Sequence, residues 1–305
     1  MVRNFIVMVI VLAIVFPAGI SGRAEEKSRG YEVNSRELKL LLKGEKFQRR
    51  RAAVREFWGM VKSLATEKGI NIFESRRILQ ESQREIYFLD TDENVIKKNN
   101  YSLRIRTKAE RRRKKGYYEI SLKYRSPDRA KASMADVNMT PGYRPEMVFE
   151  EDMSIDPGAP GGVKSVFSLR SRIKKMLNPV EATIGGFTEV FPVLGTLGLP
   201  PETKLEKVND LTIMELKYTP GSLDFGDGIK AFVDIAVWYE WDGNIPLIAE
   251  FSYKHTVADH ENLPPGAEKC VEFIKELAER VSEWTAGEQS KTSFTYGLDG
   301  GGDGD

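Results

Sequence analysis

The sequence contains very little of the chemistry that thiols and imidazoles provide. Its 305 residues include one cysteine, Cys270, and two histidines, His255 and His260. A single cysteine can form neither an intramolecular disulfide nor a thiolate metal cluster. Two histidines without further partners support neither a histidine-rich zinc site nor a hydrolytic triad. Cys270 lies within a helical pattern, so we expect a packed thiol there rather than a nucleophile.

Net charge is also almost absent, although charged residues are abundant. The chain carries 46 Lys and Arg against 45 Asp and Glu, a formal charge of +1, while 30% of its residues are charged. This balance argues against a nucleic-acid partner and against a polybasic membrane anchor. The sequence also has no dinucleotide-binding glycine motif, no Walker loop and no short repeat. Charges of both signs must therefore be sorted locally, and their positions matter more than their sum.

Both termini differ from the rest of the chain. Residues 1–24 combine Arg3, an apolar run from Phe5 to Phe16 and small residues before a possible cleavage point, which predicts a signal peptide. Retention of this segment as an uncleaved anchor is the alternative. The mature chain is predicted to be exported to a bacterial periplasm or out of the cell, without membrane contact after cleavage. The Gly- and Asp-rich residues 293–305 predict a disordered tail.

Hydrophobic periodicity predicts helices and strands between these ends. Apolar residues recur at helical spacing from Glu45 to Glu67 and from Pro265 to Trp284, and a basic helix is predicted near 166–177. Alternating stretches predict strands, including one hairpin with its tip at 111–116 and another that turns at 241–244.

Two further groups of residues are assigned structural roles. We expect Asp90 and Thr91 to form a turn. We expect the aromatic residues Trp238, Tyr239 and Trp241 to pack on the outside of the sheet.

Several of the predicted strands present charged side chains on one face. Side chains alternate along a strand, so residues two apart share a face. Glu150 is preferred to Glu151 because only Glu150 shares a face with Asp152. The charged faces contain Glu37 with Lys39, Arg104 with Arg106, Lys123, Glu150 with Asp152, Lys217, and Glu250 with Lys254. A β-sandwich has apolar inner faces, so this pattern instead predicts a barrel with a hydrated, charged interior and helices outside.

Such an interior suits a chain of phosphates. Cations from several strands can surround phosphate oxygens with charge-assisted hydrogen bonds, and the planar fork of arginine fits them well. Carboxylates in the same interior would repel phosphate unless they hold Mg²⁺ or Mn²⁺, which prefer oxygen ligands. The predicted partner is therefore a small phosphate-containing anion.

Five stretches resemble a known family when taken in order. They are SRELKLLL from Ser35, YFLDTDENVIKKNNYSLRIR from Tyr87, YYEISLKY from Tyr117, VFEEDM from Val148 and PLIAEFSYKH from Pro246. Together they resemble the CYTH superfamily, also called triphosphate tunnel metalloenzymes, which includes class IV adenylyl cyclases, thiamine triphosphatases and inorganic triphosphatases. The resemblance covers about residues 33–292 and implies one domain over 31–292, an α+β fold built on an eight-stranded antiparallel barrel that forms a tunnel.

The resemblance also implies roles for the charged residues. By position, Lys39, Arg104, Arg106 and Lys123 resemble phosphate-binding residues. The acids Glu37, Glu150, Asp152 and Glu250 resemble the metal-side carboxylates, with Glu37 and Glu150 as the candidate catalytic pair. Lys217 and Lys254 are further candidates for substrate binding, and a solvated position is the alternative for each. The implied activity is metal-dependent hydrolysis of inorganic triphosphate or another short polyphosphate.

One departure from the family pattern keeps other functions open. The family's first strand carries Glu-x-Glu-x-Lys, and this chain has Ser35 where the first glutamate is expected. A hydroxyl cannot replace that negative charge. The alternatives are an exported protein that binds polyanions without cleaving them, and a structural barrel whose polar interior is only hydrated.

Overall fold

Strands and helices account for most of the residues that the structure describes. The computed structural model describes residues 30–108, 117–176, 182–287 and 290–297. The predicted signal peptide and the hairpin tip at 111–116 lie outside these residues. So does the part of the predicted tail from residue 298 onward. No helix among the described residues is long and apolar enough to cross a membrane.

Within the described ranges, eleven strands form one sheet. They are β1 (Ser35–Lys43), β2 (Asn71–Glu74), β3 (Glu81–Asp90), β4 (Tyr101–Lys108), β5 (Tyr117–Ser126), β6 (Glu146–Ile155), β7 (Val163–Met176), β8 (Glu206–Lys207), β9 (Ile213–Asp224), β10 (Lys230–Glu240) and β11 (Pro246–Thr256). The helices are α1 (Arg50–Glu67), α2 (Val95–Lys98), α3 (Arg129–Ser133), α4 (Ile184–Thr188), α5 (Pro265–Arg280) and α6 (Lys291–Gly297).

Nine of these strands close into a barrel. The order β9-β10-β11-β1-β6-β7-β5-β4-β3 returns to β9 through the β3–β9 pairing, and β2 and β8 lie outside this ring. The predicted α+β barrel is confirmed, but the predicted eight antiparallel strands are wrong. An odd number of strands cannot alternate in direction all the way round a closed ring, so one parallel pair is required. That pair is β1 with β6, which places Ser35 opposite Glu150 and Glu37 opposite Asp152.

Two helices, α1 and α5, cover one side of the outer face of the barrel, and a second apolar cluster covers the outer face of β4, β5, β6 and β7. In β1 the apolar residues Leu38, Leu40 and Leu42 point outward and join a core with α1 and α5. The alternate residues Glu37 and Lys39 therefore point inward. Both long helices were predicted. Each predicted range also contains part or all of a short 3-10 turn, Gly44–Phe47 before α1 and Ser282–Trp284 after α5.

The basic helix predicted near 166–177 is wrong, because this stretch belongs to strand β7. Its residues pair with β5 on one side and β6 on the other. Leu169 is buried in an outer apolar cluster, whereas Arg170 and Arg172 lie on the opposite face. The spacing of the apolar residues fits both a helical and a strand period. Pairing with β5 and β6 makes this stretch a strand.

One end of the barrel contains an apolar cluster inside it. Leu41, Trp238 and Ile248, from three adjacent strands, pack with Tyr296 of α6. Trp238 was predicted to pack on the outer face, but it lies inside the barrel. Tyr239 does join the outer core. The predicted tail starts at residue 293, but helix α6 runs from Lys291 to Gly297 and crosses that boundary.

Candidate functional site

A group of arginines lines the barrel interior on strands β3, β4 and β7. Register places Arg104 and Arg106 on the inward face of β4, as predicted, and Arg170 on the inward face of β7. The Nε atoms of Arg104, Arg106 and Arg170 are buried and have no hydrogen-bond partner in the part of the chain that the structure describes. A buried charged donor without a partner is costly, which points to a ligand that supplies the missing acceptor.

The charges in this group repel one another. Burial lowers the pKa of Arg104 well below its usual range, and the nearby Arg106 and Arg170 lower it further. Burial and Arg84 act in the same direction on the pKa of Arg106. Glu119 partly neutralises the group, since it lies 3.3 Å from Arg106 Nη1. An anion between these arginines would relieve both the repulsion and the missing hydrogen bonds.

A second group combines lysines with carboxylates on β1, β5, β6 and β11. Lys39 Nζ lies 2.7 Å from Asp152 and 3.1 Å from Glu37. Lys123 Nζ lies 3.0 Å from Asp152 and 3.6 Å from Glu150. Lys254 Nζ also contacts Glu150. The structure thus brings together six of the predicted site residues, three cations and three anions.

The charge states of this group follow from its pairing. Burial alone would lower the pKa of Lys39, but Asp152 and Glu37 together raise it above its usual value. Burial alone would raise the pKa of Glu150, but Lys123 and Lys254 lower it to about 2. Burial is the main reason that the pKa of Lys123 falls to about 8. The carboxylates are therefore ionised at neutral pH and able to accept a metal or an ammonium group.

The predicted acid Glu250 lies apart from the other three carboxylates and is paired with a lysine that the sequence analysis missed. Lys291, the first residue of α6, places its Nζ 2.9 Å from Glu250 and 3.6 Å from Glu215. Trp238 donates its ring N–H to Glu215 at 3.0 Å. Glu215 could have been found from its place two residues before Lys217 on one strand face. Lys291 lies far from any predicted strand, and no sequence signal indicated it.

Lys217 is inside the barrel but is not part of either group. Its Nζ lies 2.6 Å from Asp234 of β10. Asp234 also accepts a hydrogen bond from Thr219 at 2.8 Å. Lys217 and Asp234 therefore neutralise each other on the inward faces of β9 and β10.

The choice of Glu150 over Glu151 agrees with the geometry. Glu151 lies on the outward face, where Arg36 contacts it at 2.7 Å and His260 at 2.9 Å. Ser35, which replaces the first glutamate of the family motif, is buried, and its hydroxyl has no partner among the described residues. Asp90 has a structural role, as predicted, because it accepts backbone N–H bonds from Thr91 and Ile96 at 2.8 Å each.

The carboxylates fit a metal only if its other ligands come from elsewhere. Among the described residues, no three acidic or histidine side chains converge on one point. Glu37, Glu150 and Asp152 are nevertheless ionised oxygen donors in one region. Mg²⁺ is commonly held by one or two carboxylates together with substrate phosphates rather than by a complete protein cage. The residues therefore fit Mg²⁺ or Mn²⁺ that binds together with a phosphate ligand.

Comparison with known proteins gives similarity in solved structures only. No family model matches the chain, and no curated protein matches it. A candidate adenylyl cyclase from Hippeastrum, described as having a dominant triphosphatase activity, is similar over 86% of this chain and 95% of its own, with 12% identity and a TM-score of 0.43. A candidate adenylate cyclase from Bacillus halodurans is similar over 87% and 98%, with 14% identity and a TM-score of 0.38.

A third protein, a candidate adenylate cyclase from Vibrio parahaemolyticus, is similar over 87% of this chain and 98% of its own, with 11% identity and a TM-score of 0.33. At such identities the likeness concerns the fold, and the residues of the barrel must carry any functional proposal.

Proposed function

We propose that this protein is a metal-dependent phosphohydrolase that acts on inorganic triphosphate or another short polyphosphate inside the barrel. One observation carries the proposal: three arginines aim buried Nε donors into the interior, and these donors have no partner among the residues that the structure describes. A chain of phosphates offers several acceptor oxygens at close spacing, so one ligand can satisfy donors from both β4 and β7.

The lysine and carboxylate group would act next to the arginines. Lys39, Lys123 and Lys254 are held between carboxylates, and each ammonium group has three donors. Each lysine can therefore keep one carboxylate contact and turn another donor toward a phosphate oxygen. The substrate would thus be fixed between Arg104, Arg106, Lys123 and Arg170 on β4, β5 and β7 and the two lysines Lys39 and Lys254 on β1 and β11. Such positioning is most of what phosphoryl transfer requires of a protein.

Glu37, Glu150 and Asp152 would hold the Mg²⁺ or Mn²⁺. When bound, the cation supplies Lewis-acid stabilisation of the negative charge that develops on the phosphate oxygens. Glu150 remains ionised at neutral pH, so it can orient an attacking water by accepting its hydrogen bond. Burial of the site restricts other water from reaching the phosphorus.

The test compares two neighbouring glutamates. Phosphate release from tripolyphosphate is measured with Mg²⁺ or Mn²⁺ and with neither, for the wild type, Glu150→Gln and Glu151→Gln. We expect metal-dependent release that falls at least about 100-fold in Glu150→Gln. Glu151→Gln, on the outward face, is expected to retain turnover in the fraction that folds. Absence of turnover in the wild type together with intact tripolyphosphate binding would refute hydrolysis and leave a binding protein.

A further inference from the structure

Lys291 is a lysine that enters the barrel from an element outside the barrel wall. It is the first residue of α6, and its side chain is 17% exposed. Its ammonium lies 2.9 Å from Glu250 of β11 and 3.6 Å from Glu215 of β9, two strands that β10 separates. The side chains of these acids are 11% and 5% exposed. One cation from α6 therefore lies between two largely buried carboxylates.

Lys291 supplies positive charge that the barrel wall does not give to this pair. Within the described ranges, Glu250 contacts no other cation, and Glu215 contacts only Arg84 besides, at 3.6 Å. Two buried carboxylates without a cation between them would repel each other and lose the compensation for their burial. Burial alone would lower the pKa of Lys291, but Glu250 and Glu215 raise it above its usual value. The ammonium is therefore charged at neutral pH.

The rest of α6 fixes the position of Lys291. Tyr296 donates a hydrogen bond to Asp90 at 3.0 Å, and its ring packs in the apolar cluster at this end of the barrel. The carbonyl oxygen of Thr295 accepts a hydrogen bond from the side chain of Asn209 at 2.8 Å. The lysine thus extends from a docked helix, and its ammonium is delivered to one place.

The surroundings of this ammonium suit a lysine better than a divalent cation. The ring centroid of Trp238 lies 5.0 Å from Lys291 Nζ, a distance at which an aromatic face attracts an ammonium group. Mg²⁺ requires near-octahedral oxygen coordination, and an indole ring offers no such ligand. Among the residues that the structure describes, no third acidic or histidine side chain joins Glu215 and Glu250 to form a metal site.

We propose that Lys291 is a tethered ammonium that occupies the Glu215–Glu250 pair in place of a metal ion. The barrel then takes its divalent cation only at the three carboxylates of the lysine and carboxylate group. The sequence analysis had assigned Glu250 to the metal side, and this inference removes it from that set. It rests on the proposed function only for the cation at the other carboxylates, since exclusion of a metal from the pair depends on Lys291 alone.

Removal of Lys291 should convert the pair into a cation site. Without the ammonium, Glu215 and Glu250 are two neighbouring buried anions, and a divalent cation is a partner that can neutralise both. One or two carboxylates together with waters are enough to hold such a cation. Mn²⁺ prefers the same oxygen ligands as Mg²⁺, and it can be counted by electron paramagnetic resonance.

The experiment counts the Mn²⁺ ions bound per chain, with Mn²⁺ alone and no phosphate. The proteins are the full chain, Lys291→Ala, Lys291→Gln, Glu250→Gln and the double variant Lys291→Ala with Glu250→Gln. Lys291→Gln removes the charge and keeps most of the volume, so it serves if the alanine variant does not fold. The matched control is Lys217→Ala, because the ammonium of Lys217 lies 2.6 Å from a single carboxylate, that of Asp234. Circular dichroism checks that each protein is folded.

We expect both Lys291 variants to bind one more Mn²⁺ per chain than the wild type at about 1 mM Mn²⁺. Glu250→Gln, the double variant and Lys217→Ala should each bind the same number as the wild type. No gain in either Lys291 variant, or an equal gain in Lys217→Ala, would overturn the inference. Loss of one Mn²⁺ in Glu250→Gln would also overturn it, because Glu250 would then hold a metal while Lys291 is present.

Failure of the proposed function would give a different result. It would appear as the absence of metal-dependent phosphate release from tripolyphosphate by the wild type. The additional Mn²⁺ in the Lys291 variants would still be observed, because it depends on the vacated carboxylate pair and not on turnover.

Discussion

Replacement of Arg104 by methionine should stabilise the protein when no phosphate is present. The buried Nε of Arg104 has no hydrogen-bond partner in the described part of the chain, and burial and two neighbouring arginines lower the pKa of this side chain. Its buried charge therefore opposes folding. Methionine fills a similar volume without charge, so we expect the free energy of unfolding to rise by about 1–3 kcal/mol. For a domain of this size that corresponds to a rise in Tm of roughly 2–4 °C per kcal/mol.

The ligand should offset the stability that Arg104→Met gains, and it reverses the order of stability where that gain is below about 2.3 kcal/mol. Tripolyphosphate at about 100 times its Kd stabilises a protein by ~2.7 kcal/mol. Loss of one buried charged contact costs about 2–5 kcal/mol of binding, and ~2.7 kcal/mol corresponds to a 100-fold weaker Kd. At the same concentration the Arg104→Met protein would then gain only ~0.4 kcal/mol. Thermal unfolding followed by circular dichroism, with and without tripolyphosphate, measures both effects.

The matched control is the same substitution at a paired arginine. Arg36 is buried on the outer face and contacts Glu151 at 2.7 Å. Arg36→Met leaves that buried carboxylate without its cation, so it should destabilise the unliganded protein by about 3–5 kcal/mol. A lower Tm for Arg104→Met without phosphate, comparable to the loss in Arg36→Met, would refute the view that the charge of Arg104 opposes folding when no ligand is bound.

Two further predictions concern the end of the barrel that α6 covers. Tyr296 donates a hydrogen bond to buried Asp90 at 3.0 Å, so Tyr296→Phe should lower the free energy of unfolding by about 1–2 kcal/mol, whereas Tyr31→Phe at an exposed site should not. Burial alone would raise the pKa of Glu215, but Lys291 and other cations lower it below the usual 4.5. Its contribution to stability is therefore present above pH 4.5 and is lost as pH falls. Urea unfolding at pH 7 and pH 3 should show a smaller loss in Glu215→Gln than in the wild type.

The faces of the strands were predictable from the sequence because side-chain direction alternates with a fixed period of two. That period alone placed Arg104 and Arg106 together and separated Glu150 from Glu151. The same period predicted a charged interior, because the charged residues of each strand can be assigned to one face without knowing which strands pair. The covering helices followed from their own periodicity in the same way.

The number of strands and the membership of the site depended on long-range pairing. β7 was predicted to be a helix, and with it Arg170 was missed, because apolar spacing in a short stretch fits both periods. The ninth strand also forced the parallel β1–β6 pair, which sets Glu37 beside Asp152.

Local sequence determined what each element presents, and tertiary structure decided which elements meet. Lys291 shows the difference most clearly, since its contacts with Glu215 and Glu250 join residues that are 76 and 41 positions away in the chain. No periodic pattern extends over such separations. Closure of the barrel and the packing of α6 against its end bring these charges together, because only the folded chain fixes the register of all nine strands at once.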